Sequence, residues 1–154
     1  MSAKRLIASA LLAASAAWAG FVPSAAVAGL FSATGAVIAI VGDEIYVGEA
    51  EGGINGSGTL VIRSQSNPAL SCTGQFTSSA ALGGSGQLQC SDGNGATFRF
   101  TRLSVYRGHG VANFRRGEMR FAYGFAPEEA GAYMKLPAGK KLTQNGSILA
   151  LTDR

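Results

Sequence analysis

One histidine, two cysteines, a run of acids and a cluster of arginines are the side chains of this 154-residue chain that could do chemistry. His109 sits between glycines in Arg107-Gly108-His109-Gly110, where a catalytic role would make it a general base working with Ser104 or Glu118. No GxSxG elbow or comparable constellation accompanies it, so no catalytic residue is assigned. A small periplasmic hydrolase using His109 stands as the alternative function. A metal centre lacks ligands, because His109 has no second histidine at helical spacing and the cysteines form no CxxC pair. Asp43, Glu44, Glu49 and Glu51 lack the calcium-loop pattern and read as a solvated acidic edge. The glycine-rich stretches form neither GxxxxGK[ST] nor GxGxxG before a helix, so no cofactor is expected.

Cys72 and Cys90 bound the segment CTGQFTSSAALGGSGQLQC. Read as two strands around a turn near Ala80-Ala81-Leu82, it sets the cysteines opposite each other, Gly74 opposite Leu88 and Phe76 opposite Gly86. Alternate residues share a face, so Cys72, Cys90, Phe76 and Leu88 point the same way. The glycines leave room for a ring to lie across the neighbouring strand. A Cys72–Cys90 disulfide is the expected outcome.

From Arg99 to Arg120 the chain carries Arg99, Arg102, Arg107, Arg115, Arg116 and Arg120, opposed only by Glu118. These six are the candidate basic binding face, suited to lipid headgroups, an anionic glycan or an acidic envelope protein. The competing reading is a charged face that keeps a sheet soluble and guards its edge.

The N-terminus indicates the compartment. Lys4 and Arg5 precede an uncharged, Ala- and Leu-rich run over residues 6–19, and Pro23 then interrupts it. Ala26-Val27-Ala28 supplies a small–x–small site before Gly29. These are the parts of a secretory signal peptide over residues 1–28, with Ala17-Trp18-Ala19 as an earlier candidate site. An uncleaved anchor helix over residues 6–30 is the alternative, against which Pro23 and the small-residue sites weigh. A periplasmic or secreted protein follows, in which paired cysteines are the simplest state. Removing Lys4 and Arg5 leaves eleven basic residues against nine acidic, too small an excess to imply nucleic acid. No later stretch is long and apolar enough to span a membrane as a helix.

The 22 glycines and short alternating runs argue against a helical bundle. Residues 29–154 read as a single β-rich domain with hairpin units at 35–62, 72–90 and 98–125, then a short helix and hairpin over 127–154. Residues 37–41 form a continuous apolar strand, followed by a turn at Gly42-Asp43. Met119, Phe121, Tyr123 and Phe125 fall on one face of the next clear strand, and Arg120, Ala122 and Gly124 on the other. Pro127 before Glu128-Glu129 starts a helix, and Asn145-Gly146 predicts a type I′ turn.

A repeat underlies the hairpins. Tyr46-x-Gly48 corresponds to Cys72-x-Gly74, and Gly56-Ser57-Gly58-x-Leu60 to Gly84-Ser85-Gly86-x-Leu88, while a third copy keeps Gly108-His109-Gly110. His109 thus occupies a slot that holds Ser57 and Ser85 elsewhere, which favours a surface position. The first copy, with Tyr46, Gly48, Glu49, Gly56, Gly58, Thr59 and Leu60, resembles the MORN repeat, a glycine-rich hairpin module. Gly74, Phe76, Gly84, Gly86 and Leu88 match it in the second copy, with Cys72 in place of the usual aromatic residue. The resemblance implies protein and lipid contacts.

The expected fold is all-β, a twisted antiparallel meander of glycine-rich hairpins, either an open sheet or a partly closed barrel, with one short C-terminal helix. The expected function is an exported, non-enzymatic cell-envelope protein acting as a binding or structural module. An inhibitor-type module that captures a partner strand at an exposed sheet edge is a further alternative.

Overall fold

The computed structural model describes residues 32–79 and 82–154. The expected leader over 1–28, its cleavage site and Ala80-Ala81 lie outside the described residues. Eight strands follow one another as β1 (Ser32–Val41), β2 (Glu44–Gly53), β3 (Ser57–Ser64), β4 (Ser71–Ser79), β5 (Gly83–Cys90), β6 (Gly95–Arg102), β7 (Gly108–Phe114) and β8 (Gly117–Tyr123). Each pairs antiparallel with the next, and β1 pairs with β8 from Val37↔Tyr123 to Val41↔Met119, so the meander is a closed barrel. Closure leaves these eight strands without a free sheet edge, save where β1 runs beyond the end of β8. No described helix is long and apolar enough to cross a membrane.

The alternation of side chains decides which face turns inward. On β4 and β5 the inward residues are Cys72, Gly74 and Phe76 against Cys90, Leu88 and Gly86, in the register expected from the sequence. The cysteines are bonded, with Cα atoms 3.9 Å apart, inside the core. Inward aromatics face small residues on the adjoining strands: Phe76 lies between Gly58 and Gly86, and Phe100 between Gly84 and Gly110. An added Cβ at Gly58, Gly86 or Gly110 would collide with the rings of Phe76, Phe98 or Phe121. Glycine therefore supplies the space in which the rings lie. The three repeat copies correspond to the hairpins β2–β3, β4–β5 and β6–β7.

The continuous apolar run of β1 has two separate partners. Val37, Ala39 and Val41 enter the barrel core, whereas Ile38 and Ile40 face outward. The outward pair is covered by the C-terminal unit, made of α1 (Pro127–Ala130), a 3₁₀ turn (Gly131–Tyr133), β9 (Lys140–Asn145) and β10 (Ile148–Asp153). Ala130, Met134, Leu142 and Leu149 pack with Ile38, Ile40, Ile45 and Ala122 in a second core outside the barrel. That cover explains why Ala122, on the expected polar face of β8, is buried. The side-chain amide of Gln65 fastens β10 by donating to the Leu149 carbonyl (2.6 Å) and accepting from its amide (2.9 Å).

Two local expectations are corrected. Phe125 does not continue the inward row, because Gly124 adopts φ +73° and turns the chain away after Tyr123. Phe125 instead stacks against Tyr133, with ring centroids 4.8 Å apart, on the outer wall. The last hairpin turns at Gly146-Ser147 rather than Asn145-Gly146, since Asn145 pairs with Ile148. Only Gly146 has a positive φ there (62°), the pattern of a type II′ turn, which spares Asn145 the left-handed conformation that type I′ demands.

Candidate functional site

The two ends of the barrel differ in chemistry. At one end lie the β1–β2, β3–β4, β5–β6 and β7–β8 connections, and polar groups close it. Tyr46 is almost wholly buried there, and its hydroxyl accepts a hydrogen bond from Arg116 at 2.9 Å. Arg116 also approaches Glu44 at 3.7 Å, and Ser64 Oγ donates to Glu44 at 2.6 Å while accepting from the Asn67 amide. Burial raises the Tyr46 phenol above its usual value, while the Arg116 guanidinium acts in the opposite sense. With the disulfide, Phe114 and Met119 packed beneath, this end is sealed.

The other end is open and apolar. It carries the β2–β3 and β4–β5 turns and the β6–β7 loop. There β1 and β2 run past the end of β8, and Ala33, Thr34 and Gly35, with Val105 and Tyr106 of that loop, line a cavity of about 60 Å³. Phe76, Phe98, Phe100, Phe121 and Tyr123 line it. Phe76 and Phe100 meet edge to face at 5.5 Å, as do Phe98 and Phe121 at 5.7 Å and Phe100 and Tyr123 at 6.1 Å. Ile54, Leu82, Leu103, Val105 and Tyr106, five of the large apolar side chains most open to solvent, form a collar around this opening. Burial pushes the Tyr123 phenol up, and the Arg102 guanidinium beside it opposes that shift.

The six arginines of the expected basic face occupy different places. Arg99 and Arg120 flank Val111 on the outer wall, through the pairs Arg99↔Val111 and Val111↔Arg120. Arg120 is bonded to Glu118 at 2.6 Å. Arg107 lies over the Phe125 ring at 5.1 Å and pairs with Glu129 at 3.6 Å, beside the C-terminal unit. Arg115 and Arg116 form the β7–β8 turn at the sealed end. Arg102 shares the inward parity of Phe98 and Phe100 and stands at the open mouth. The structure sets Arg99 near Arg120 and keeps Arg115 beside Arg116, while Arg102 and Arg107 stand apart from both pairs.

His109 faces outward, half-buried, and stacks on Tyr133 with centroids 4.9 Å apart. Ser104 Oγ accepts from the Tyr106 amide and Glu118 holds Arg120, so neither proposed helper is directed at the imidazole. Among the described residues no group of three or more His, Cys, Asp or Glu side chains gathers as a metal site. The mouth is not visible in the alternation of Phe98, Phe100, Phe121 and Tyr123, which marks an inward face without showing which end of it is open. The signal was present in the spacing Phe98-x-Phe100-x-Arg102, which sets a cation on the aromatic face. Comparison with protein-family models, curated proteins and solved structures gave no match.

Proposed function

We propose that this chain is an exported, non-enzymatic envelope protein that binds a small ligand by burying an apolar group in the open end of the barrel. The observation that carries the reading is the asymmetry of the two ends. One is sealed by Tyr46, Arg116, Glu44 and Ser64, and the other exposes a cavity lined with rings and rimmed by apolar side chains. Eight strands enclose an interior just wide enough to be filled by side chains or to hold one small ligand. Here the sealed half is filled and the open half is not. A concave, mostly apolar site with a few polar groups is the usual form of a small-molecule pocket.

The exported state is supported by the basic, apolar and small-residue sequence of residues 1–28 and by the bonded cysteines, which persist in oxidising compartments. The apolar collar agrees with the lipid contacts that the MORN resemblance of the hairpins implies.

A neutral apolar dye such as N-phenyl-1-naphthylamine tests the reading. Its fluorescence should rise saturably with one site per chain, as the edge of one ring enters the cavity and the remainder lies on the apolar collar, and Ala50→Phe should abolish the response, because Ala50 lines the cavity and a ring there would fill it. The circular dichroism of the variant should remain that of the barrel. Undiminished dye binding by a folded Ala50→Phe protein would refute this site.

A further inference from the structure

Among the described residues that line the open cavity, Arg102 is the only charged side chain. Its parity on β6 directs it to the aromatic face, beside the buried Phe98 and half-buried Phe100. Arginine has five N–H donors and no acceptor. Among the described residues the guanidinium reaches the carbonyls of Ser79 and Val105, each at 3.5 Å, the outer limit of a hydrogen bond, and lies beside the Tyr123 hydroxyl. The ion pairs formed by the described residues engage Arg107, Arg116, Arg120 and Lys140, not Arg102. A cation turned toward a ring-lined cavity, with its donor capacity barely used, is arranged for an anion that arrives with the ligand.

The size and charge of the mouth narrow the ligand. A volume of about 60 Å³ equals roughly two waters' share of the liquid, so it admits the end of a short acyl chain or the edge of a ring. A longer tail would extend over Leu82, Leu103 and Val105, which are exposed around the opening. One free guanidinium balances one negative charge. A phosphate monoester would need a second cation, but Arg99 faces the outer wall and Arg107 is engaged by Glu129.

We propose that the open end binds a small amphiphilic carboxylate, with its apolar group among Phe76, Phe100 and Tyr123 and its carboxylate bidentate on Arg102 at the mouth. The Tyr123 hydroxyl, on the same side of the cavity, is placed to donate a further hydrogen bond. This inference rests on the open end being a ligand site, and adds the chemical class of what it selects.

The test is calorimetric titration of the oxidised, exported chain with octanoate and with octan-1-ol, which share a tail and differ in the head. Octanoate should bind with one site per chain, at least about tenfold more tightly than the alcohol, as charge-assisted hydrogen bonds to one guanidinium require. Its affinity should fall as salt is raised. Arg102→Gln should weaken octanoate by about tenfold or more and leave the alcohol unchanged. In the wild-type protein the Nε–Hε resonance of Arg102 should shift as octanoate is added, a readout that does not depend on the variant folding.

Equal binding of octanoate and octanol, or an Arg102 resonance unmoved at saturation, would overturn the carboxylate inference while the apolar site stood. Dye binding with no octanoate binding would overturn it equally. Failure of dye, acid and alcohol together would remove the open-end reading and this inference with it.

Discussion

Breaking the Cys72–Cys90 bond isolates one covalent contribution to the barrel. The bond joins directly paired residues of β4 and β5 across a sequence separation of 18. The chain-entropy relation for such a loop gives about 3 kcal/mol at 25 °C, arising from the restricted unfolded chain. With a urea slope of about 1–3 kcal/mol/M for a domain of this size, the reduced protein should unfold at a midpoint lower by about 1–3 M. Both cysteines are at most 4% exposed, so reduction should be slow in native buffer and accelerate as the barrel opens. The assay is urea denaturation of the oxidised protein, and of protein reduced while unfolded and refolded with its thiols free. Dye binding at the open mouth should survive in the refolded reduced protein, because the bridge sits toward the sealed end. A loss below about 1 kcal/mol would refute the reasoning, since the unfolded chain would then already hold this hairpin closed without the bond.

Other perturbations probe separate parts of the fold. Gly110→Ala places a methyl group against the Arg99 carbonyl and the Phe121 ring, and should destabilise the barrel by about 1–3 kcal/mol in denaturant titrations. Gln65→Ala leaves the Leu149 amide and carbonyl without their side-chain partner, and should speed hydrogen exchange at that amide while β1–β8 remain protected. Burial raises Tyr46 and Tyr123 above the ordinary phenol value of 10.0, so the folded chain keeps protons that the unfolded chain releases. The stability linked to them is complete below about pH 10 and is lost as pH rises through the folded values. Urea midpoints should therefore fall across that window, and Tyr123→Phe should make the fall shallower.

Local patterns along the chain set the strands and most of their register. Strict alternation fixed the inward rows, and the matched positions of Cys72 with Cys90 and Phe76 with Gly86 fixed how β4 meets β5. These are local relations, because a one-residue slip would turn every apolar side chain to the wrong face. The disulfide followed from the same register and the reading of the N-terminus. Closure was decided elsewhere: β1 meets β8 some eighty residues away in sequence, through twist accumulated over seven intervening hairpin connections.

Tertiary structure also divided the arginines. Proximity in sequence suggested one basic face, but a meander reverses direction at each strand, so Arg102 and Arg116 end at opposite mouths of the barrel. The burial of Ile38, Ile40 and Ala122 on the outer wall required a C-terminal unit whose docking no local pattern specifies. Alternation placed Arg102 on the aromatic face; only the differing closure of the two ends left that cation beside an open cavity, because side chains fill one half of the barrel and not the other.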